Sequence, residues 1–469
     1  MPAKYHIHTK ACPPRFRLPG KLGIVDWRED CAGCHNCVKD GCIYGLHRDE
    51  ADALHGELGY LDYIFQCKGC LSCVQNCTKG ILTRVVNPEY RRLGDAHFTP
   101  DIILTTWYQA QSGRIPVSGG GYGGPFSGEG FDSMWTDMSE IVRPTRDGIH
   151  GREYINTGVE IGRKMRHLSF EDGELSGTPP PLVAVPMPVV FDILPERWNH
   201  APVVKAAAQA AQEMGLMAVM NAAQIPADIG VPPQRLVPLL SEPCVPQSLS
   251  SAPLVMLHDS DQVQTALSSL KAQNAQRIVA VRVTASPRSK DRARELVGMG
   301  VEAIHLAFDM HGREPGAADG RHMRDVLRDV HCDLVRGGVR DQVTLLASGG
   351  IALAEHVAKA IICGADLVAI DVPLVLAMEC RLCLDCDRGL ACPVGLAQIE
   401  PDFAKRRIVN LLGAWHQQLI EMLGAMGIRE VRRLRGETGR CMFFEDLERD
   451  TFGRMFGKRK AQAAGGPNS

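Results

Sequence analysis

Four cysteines in the last third of the chain constrain its fold and chemistry more than any other feature. Cys380, Cys383, Cys386 and Cys392 are spaced C-x2-C-x2-C-x5-C, and Pro393 follows the last of them. Thiolates two residues apart on a turning backbone can converge on one face of an iron–sulfur cluster, and a more distant cysteine completes the ligand set. We therefore predict an iron–sulfur cluster at these four residues and favour four iron atoms.

Two further spaced sets of cysteines, or cysteine ladders, lie within the first 90 residues and form an internal repeat. The repeat resembles a two-cluster bacterial ferredoxin, in which the fourth cysteine of each ladder ligates the other cluster. Zinc is the alternative, but it normally takes two C-x2-C pairs. The first ladder is Cys31, Cys34, Cys37 and Cys42, and the second is Cys67, Cys70, Cys73 and Cys77.

This resemblance implies two [4Fe-4S] clusters with exchanged fourth ligands. Cys77 would complete the set of Cys31, Cys34 and Cys37, and Cys42 would complete the set of Cys67, Cys70 and Cys73. The proline that usually follows the fourth cysteine is replaced by Ile43 and by Thr78.

The composition excludes several classes of protein. With 469 residues, a net charge of -2 and 23% charged residues, the chain shows no bias towards nucleic acid. Residues 1–16 contain no apolar core typical of a signal peptide, and no apolar run approaches a membrane span. Most of the 17 cysteines are clustered, which favours metal ligation over disulfides. We expect a cytoplasmic protein without a direct membrane span.

From Leu182 onwards, short apolar runs alternate with helical stretches such as 203–214, 262–273 and 290–299. Eight strand–helix units predict an α/β fold, a (β/α)8 TIM-type barrel with its site at the carboxyl ends of the strands. An apolar pattern over 408–427 predicts a helix packed on the barrel rather than a membrane binder. The predicted strands are 182–187, 215–220, 235–240, 253–258, 277–284, 301–308, 342–347 and 366–371.

A glycine pair precedes the last cysteine ladder at the end of the seventh predicted strand. The run contains Ser348-Gly349-Gly350, a Gly364-Ala365-Asp366 turn and, after Cys392, the segment PVGLAQ. It resembles the end of the FMN-binding barrel of glutamate synthases, over about residues 182–443. The N-terminal part resembles the ferredoxin-like extension of archaeal-type members. A glycine pair alone would merely indicate a chain turn.

The family resemblance implies where FMN would lie. Ser348, Gly349 and Gly350 would hold its phosphate between the loops after strands seven and eight, with Gly364 and Ala365 nearby. Pro186 and Met187, at the end of the first predicted strand, match the segment that backs the isoalloxazine ring. In that family the third cluster can also be a [3Fe-4S] cluster.

The sequence departs from the family at several positions. Asp371-Val372 replaces a Gly-Thr-like pair after strand eight, where a carboxylate beside a phosphate is unfavourable. Arg282 replaces the strand-five lysine; it keeps a cation that would stabilise a reduced flavin, but with a different geometry. The GEGG-like and GGTGAS-like segments of the substrate side become 221–224 and 310–315. The cofactor side is thus better kept than the substrate side.

Polar residues at the strand ends are candidates for acid–base catalysis. We predict Asp309 and His311 as such a pair, with Arg282 as a cation facing the flavin. The alternative for each strand-end residue is a hydrogen bond that stabilises its own loop. His258, Asp259 and Thr284 occupy comparable positions.

These features predict an iron–sulfur flavoprotein that passes single electrons through clusters to FMN, which carries out a two-electron step. The resemblance implies a small amino or 2-oxo acid as substrate. Residues 118–130 are glycine-rich, but they lack the strand and helix of a dinucleotide fingerprint. An NAD(P)H- or ferredoxin-linked redox partner, and a separate glutaminase, would therefore be other subunits of a complex. The alternatives are a non-catalytic electron-transfer subunit and an FMN enzyme with a different substrate.

We divide the chain into five parts on this basis. They are a ferredoxin-like module (1–90), a connecting segment packed on the barrel (91–181), the FMN barrel with the third cluster (182–400), a C-terminal helical segment (401–457) and a disordered tail (458–469).

Overall fold

A computed structural model describes most of the chain. The described residues are 5–16, 18–26, 31–34, 36–39, 41–42, 70–115, 130–136, 154–165, 170–175, 179–316 and 319–457. Cys67, residues 118–129 of the glycine-rich stretch, and the tail 458–469 lie outside them.

The two N-terminal cysteine ladders have matching local structure. Strand β1 (Leu22–Asp26) pairs antiparallel with β2 (Thr83–Val86), which lies beyond both ladders. The third cysteine of each ladder lies on a one-turn helix, α1 (Asn36–Lys39) or α2 (Ser72–Gln75). Among the described residues, the sequence repeat thus has a structural counterpart in these two one-turn helices.

Two helices lead from this module towards the barrel. They are α3 (Pro88–Arg91) and α4 (Pro100–Ser112). The ends of α4 follow local sequence signals, because Thr99 caps the first turn, Pro100 is its first residue, and Gly113 ends it in a left-handed conformation.

Short strands precede the barrel in the connecting segment. They are β3 (Met134–Thr136), β4 (Val159–Gly162), β5 (Phe170–Glu171), β6 (Glu174–Leu175) and β7 (Leu182–Val185). Strand β4 pairs antiparallel with β7, and β5 with β6. Thr344, the first residue of a barrel strand, exchanges hydrogen bonds with Gly162. The β4–β7 ribbon therefore lies at the amino end of the barrel.

Eight parallel strands close into the predicted barrel in sequence order. Nearly every side chain on these strands is buried, as expected for a parallel sheet covered on both faces. The barrel strands are β8 (Val189–Phe191), β9 (Ala218–Asn221), β10 (Leu236–Leu240), β11 (Leu254–His258), β12 (Ile278–Thr284), β13 (Ala303–Ala307), β14 (Thr344–Ser348) and β15 (Leu367–Ile370).

The prediction of the first barrel strand was wrong. Residues 182–185 form the outer ribbon, and the barrel begins with β8, six residues or more further along the chain. Pro186 and Pro188 separate the two apolar runs, because proline cannot donate to a sheet ladder. The second run is the buried one: all three residues of β8 are buried, whereas Leu182 is 46% exposed.

Helices cover most of the barrel. They are α5 (Ala201–Glu213), α6 (Val263–Gln273), α7 (Ser289–Gly298), α8 (Met323–Arg336), α9 (Ala354–Ile362) and α10 (Val372–Ala377). After β9 and β10 the described chain has 3-10 turns instead of α-helices. The (β/α)8 fold is thus confirmed with two reduced units.

The predicted C-terminal helix is also confirmed. Helix α11 (Pro401–Ala425) packs against α4 and α5, and its buried face includes Arg407, Trp415 and His416. Beyond it, strand β16 (Cys441–Phe443) pairs with β3, and helices α12 (Phe444–Leu447) and α13 (Gly453–Phe456) follow. Among the described helices, none is both long and apolar enough to cross a membrane.

Candidate functional site

The four cysteines that follow α10, here called the barrel ladder, surround one cavity. Cys380, Cys383, Cys386 and Cys392 all line it. The Cys380 thiol lies within electrostatic range of the other three. All four are free cysteines. The structure therefore brings together the residues that the spacing predicts as ligands of one cluster.

An unusual backbone conformation turns the cysteines towards the cavity. Glu379, Leu382 and Leu384 have φ angles of 75°, 50° and 55°. Such left-handed values are uncommon for residues other than glycine, and they tend to mark sites where structure serves function. Here they alternate with Cys380 and Cys383, so the chain winds tightly around the space between the thiols.

The opposite wall of the cavity supplies a hydrogen-bond donor without an acceptor. Arg197, Trp198 and His200 line that wall, and the Arg197 guanidinium stacks on the Trp198 ring at 4.6 Å. The Arg197 Nε atom is buried and has no hydrogen-bond partner among the described residues. An orphaned buried N–H is costly unless a ligand accepts from it. Sulfur atoms of a cluster are such acceptors, so these residues fit an iron–sulfur cluster.

Burial makes the first ligand a poor thiolate by itself. Desolvation raises the pKa of the Cys380 thiol to about 12, and the neighbouring cysteines add to this rise. Ligation would therefore have to displace a proton from Cys380, because iron binds the thiolate. Cluster assembly at this ladder is accordingly expected to release protons.

Several of the N-terminal cysteines lie near one another among the described residues. Cys31, Cys34 and Cys77 all lie within electrostatic range of Cys37. Backbone N–H groups, above all that of Ile81, surround the Cys77 sulfur and lower its pKa. The fourth cysteine of the second ladder is thus near the third cysteine of the first, as are Cys31 and Cys34. Of the complementary set, Cys42, Cys70 and Cys73 are described, and Cys67 is not.

The centre of the barrel mouth is filled by a closed circuit of polar side chains. Arg282 donates to Asp192 at 2.6 and 3.0 Å, and to Nδ1 of His305 at 3.1 Å. Because a guanidinium only donates, a neutral His305 carries its proton on Nε2 and donates to Ser348 Oγ at 2.8 Å. The Ser348 hydroxyl in turn bonds Asp192. Each group is satisfied by another group of the circuit.

The charges of this circuit balance internally. Burial disfavours ionisation of Asp192, but Arg282 and its other partners lower the Asp192 pKa to about 2. Burial and Arg282 together lower the pKa of His305 to about 3, so the ring is neutral. The predicted flavin-facing cation Arg282 is therefore already paired with a buried carboxylate.

The two glycines predicted to hold the FMN phosphate are closely packed against the neighbouring loop. A Cβ atom on Gly349 would lie 2.3 Å from the Asp309 carbonyl oxygen, and one on Gly350 would lie 2.4 Å from the Gly312 nitrogen. The adjacent loop therefore leaves no room for a side chain at either position. His97 donates through Nε2 to the Gly350 carbonyl at 2.9 Å and covers the pair.

Asp371 occupies the other side of the predicted phosphate position. It caps α10 by accepting from the Val372 N–H at 2.7 Å. Burial raises the pKa of Asp371 to about 6, and the nearby Asp192 contributes to this rise. A buried carboxylate in this place opposes a phosphate. As described, these residues do not fit an FMN phosphate at the predicted position.

Four predicted FMN contacts lie at the opposite end of the barrel, and that part of the prediction is corrected. Pro186 and Met187 precede β8, where the Pro186 carbonyl accepts from Thr157 Oγ1 at 2.7 Å. Gly364 and Ala365 precede β15 and form the turn from α9. All four are at the amino ends of strands, whereas barrel sites form at the carboxyl ends.

The predicted Asp309–His311 pair is not formed either. Asp309 Oδ1 accepts from the backbone N–H groups of His311 and Arg313, at 2.9 and 2.8 Å, and so stabilises its own turn. His311 instead donates through Nε2 to Asp95 at 2.9 Å. Sequence reasoning missed Asp95, because no local pattern connects residues 216 positions apart.

Comparisons with known proteins are consistent with this architecture. Residues 241–429 match the conserved region in glutamate synthase. The chain is 27% identical over 431 residues to the archaeal glutamate synthase [NADPH] of Archaeoglobus fulgidus, covering 76% of this chain and 83% of that protein. It is 26% identical over 504 residues to the archaeal-type glutamate synthase [NADPH] of Dehalococcoides mccartyi, covering 89% and 94%.

A shorter match is stronger in identity. It reaches 39% over 111 residues with the archaeal glutamate synthase [NADPH] of Methanocaldococcus jannaschii, or 22% of each chain. Among solved structures, a mutant flavocytochrome b2 with benzoylformate has a TM-score of 0.44 at 12% identity, covering 81% of this chain and 84% of that one. The family match over residues 241–429 and the similarity to these relatives over most of the chain support a divergent member of the glutamate synthase family.

Proposed function

We propose that this chain is an iron–sulfur oxidoreductase subunit that carries electrons between its N-terminal ladders and the barrel ladder. The observation that carries the proposal is the cavity lined by Cys380, Cys383, Cys386 and Cys392, with the unpartnered Arg197 N–H on its wall. Clusters bound at these ladders would supply one-electron redox chemistry.

The chain's own residues would hold and shield the barrel cluster. Trp198 is 2% exposed and closes the cavity against water, which strengthens charge interactions inside it. Arg197 links the cavity to the barrel mouth, since it pairs with Asp387 and donates to the Met310 sulfur at 3.5 Å. Its positive charge would favour the reduced, more negative cluster.

The proposal includes a complex in the cytoplasm. A redox partner linked to NAD(P)H or ferredoxin would exchange electrons with the chain. Its relatives are named as NADPH-dependent glutamate synthases, which supports a reductive electron source of this kind. A separate glutaminase subunit would be needed only for the second candidate function.

The second candidate is FMN-dependent reduction or oxidation of a small amino or 2-oxo acid. Its support is the family match over residues 241–429 and the closed barrel with Arg282 at its mouth. FMN would have to be held by residues other than those predicted, with Arg282 released from Asp192. We derive no catalytic step through FMN, because the described residues do not fit it at the predicted position.

A reductive titration separates the two candidates. Protein purified without oxygen would be reduced stepwise with dithionite while its visible spectrum is recorded, and acid-released flavin would be measured in parallel. Three clusters without flavin accept about three electrons per chain, and bound FMN adds about two. Glutamate formation from ammonia, 2-oxoglutarate and reduced ferredoxin would support the second candidate. Failure to accept any electrons would contradict both.

A further inference from the structure

We propose that Arg15 and Glu379 are positioning residues for the barrel cluster, holding its ligand loop and setting the charge beside it. The inference rests on the proposed function, because it concerns a cluster bound by the barrel ladder. It adds residues that lie outside every cysteine motif of the sequence.

Arg15 ties together the two ends of the barrel ladder. Its backbone N–H and its Nε each donate to the Glu379 carboxylate at 2.8 Å. Its Nη2 donates to the carbonyl of Val394 at 3.0 Å. Glu379 directly precedes Cys380, and Val394 follows Cys392 by two positions. One side chain therefore fixes the distance between the first and last ligands of the ladder.

A second contact with the ligand loop comes from the chain that follows the two N-terminal ladders. The N–H of Gly94 donates to the carbonyl of Arg381 at 3.1 Å. Gly94 has a φ of +65°, and a Cβ atom there would lie 1.9 Å from the Phe98 carbonyl oxygen. Arg15, before the two N-terminal ladders, and Gly94, after them, thus both hold the segment 379–381. The chain is therefore fastened beside the first barrel ligand on both sides of those ladders.

Behind the ligand loop, the Glu379 carboxylate lies between two cations, Arg15 and Arg407. Glu379 is 2% exposed and has a left-handed backbone. Arg407 is fully buried, and its Nη1 lies 3.8 Å from the Glu379 carboxylate. Arg407 also donates to the carbonyls of Ala377 and Cys12. Removing one member of such a buried group leaves the remaining charge uncompensated.

The opposite charges of Arg15 and Glu379 predict that removing one or the other has opposite effects on the reduction of the barrel cluster. Reduction adds negative charge, so removing the Arg15 cation disfavours it and removing the Glu379 anion favours it. We expect Arg15→Gln to lower, and Glu379→Gln to raise, the one-electron reduction equilibrium constant by about tenfold, or about 59 mV. A merely structural role would not give shifts of opposite sign.

The experiment is an EPR-monitored redox titration of the full chain, with iron and sulfide measured for each variant. Arg15→Lys should retain the cluster, because its charge still pairs with Glu379, although one ammonium cannot reproduce the forked contacts. The N-terminal cluster signals should stay unchanged throughout. If Arg15→Gln binds too little iron for titration, the result is decided by the other two variants: a raised potential in Glu379→Gln with a near-wild-type potential in Arg15→Lys supports the inference, and an unshifted or lowered potential in Glu379→Gln overturns it.

Arg294→Gln is the matched control. Arg294 also forms a forked pair with a buried carboxylate, donating through Nε to Asp333 at 2.9 Å, but on the barrel exterior at α7. Its cluster signals should equal those of the wild type. Wild-type potentials in both Arg15→Gln and Glu379→Gln, or shifts of the same sign in these two variants, would overturn the inference. A wild-type chain lacking the barrel cluster would instead overturn the proposed function itself.

Discussion

The cavity of the barrel ladder and the centre of the barrel mouth lie at the same end of the barrel but treat their polar groups differently. Around the cavity, four thiols converge, backbone strain is concentrated, and Arg197 Nε has no partner. In the mouth, Arg282 and Asp192 satisfy each other through a closed circuit. A buried donor left free beside four thiols favours a ligand there, whereas a network whose groups satisfy one another favours a structural role.

The largest effect should follow loss of a barrel ligand. Cys383→Ser should reduce the iron content from about twelve to about eight atoms per chain, because only one of three clusters loses a ligand. Chemical iron analysis of protein purified without oxygen measures this change. Cys244→Ser, at an exposed cysteine outside the ladders, is the control and should keep the full content. An unchanged iron content in Cys383→Ser would show that the cavity of the barrel ladder, like the barrel mouth, binds no cluster.

Breaking the polar circuit in the barrel mouth should have a smaller effect than the loss of a cluster. It should nevertheless lower the free energy of unfolding strongly. Asp192→Ala leaves the Arg282 charge without its buried partner, which typically costs about 3–5 kcal/mol. Urea unfolding measures the change in the free energy of unfolding. The double variant Asp192→Ala/Arg282→Met should recover part of this loss, because no charge remains unpaired. A cost below about 1 kcal/mol for Asp192→Ala would mean that the circuit is not a structural element.

A smaller effect concerns Asp371, whose pKa is raised to about 6 mainly by burial. An acid with a raised folded-state pKa binds extra protons in the folded state, so its contribution falls as pH rises from about 4 to about 6. Asp371→Asn keeps the helix cap without the charge. It should therefore be more stable than the wild type at pH 8, by about 3 kcal/mol, and lose this advantage near pH 4.

Denaturant midpoints at the two pH values test this prediction. Asp261→Asn, at an exposed position, is the control and should show no comparable pH-dependent difference. An Asp371→Asn variant that is less stable than the wild type at pH 8 would show that the ionised carboxylate stabilises the fold. The barrel mouth would then tolerate a negative charge better than the burial of Asp371 indicates.

The smallest effect should come from substitutions of Asp309. They distinguish a residue that stabilises its own turn from one that acts in acid–base catalysis. Asp309→Ala removes two backbone hydrogen bonds and should cost about 1–2 kcal/mol of unfolding free energy. Asp309→Asn keeps the accepting oxygen and should cost less than about 0.5 kcal/mol. In a chain with measurable turnover, a large loss of activity in Asp309→Asn would argue for proton transfer instead.

The accuracy of the sequence-based predictions depended on how local each signal is. The ladder around Cys380 and Cys383 was visible because cluster ligands follow a short spacing rule. Most barrel strands were visible because parallel strands are buried on both faces and form continuous apolar runs. The strand before Asp192 was misplaced because Pro186 and Pro188 divide one apolar stretch into two.

The features that escaped sequence reasoning depend on contacts between distant parts of the chain. Asp95 meets His311, and Asp192 meets Arg282, across 216 and 90 positions. No periodicity or motif encodes such pairs. The sequence placed Gly349 and Gly350 after a strand. It did not decide between two uses of a glycine pair, phosphate binding and close packing against a neighbouring loop. Only the packing of the loop 308–312 distinguishes these uses.

The most direct test of the central claim is the iron, sulfide and acid-released flavin content of wild-type protein purified without oxygen. We expect about twelve iron atoms and a similar amount of sulfide per chain, corresponding to two N-terminal clusters and one at the barrel ladder. About eight iron atoms would show that the barrel cavity holds no cluster and would contradict the account.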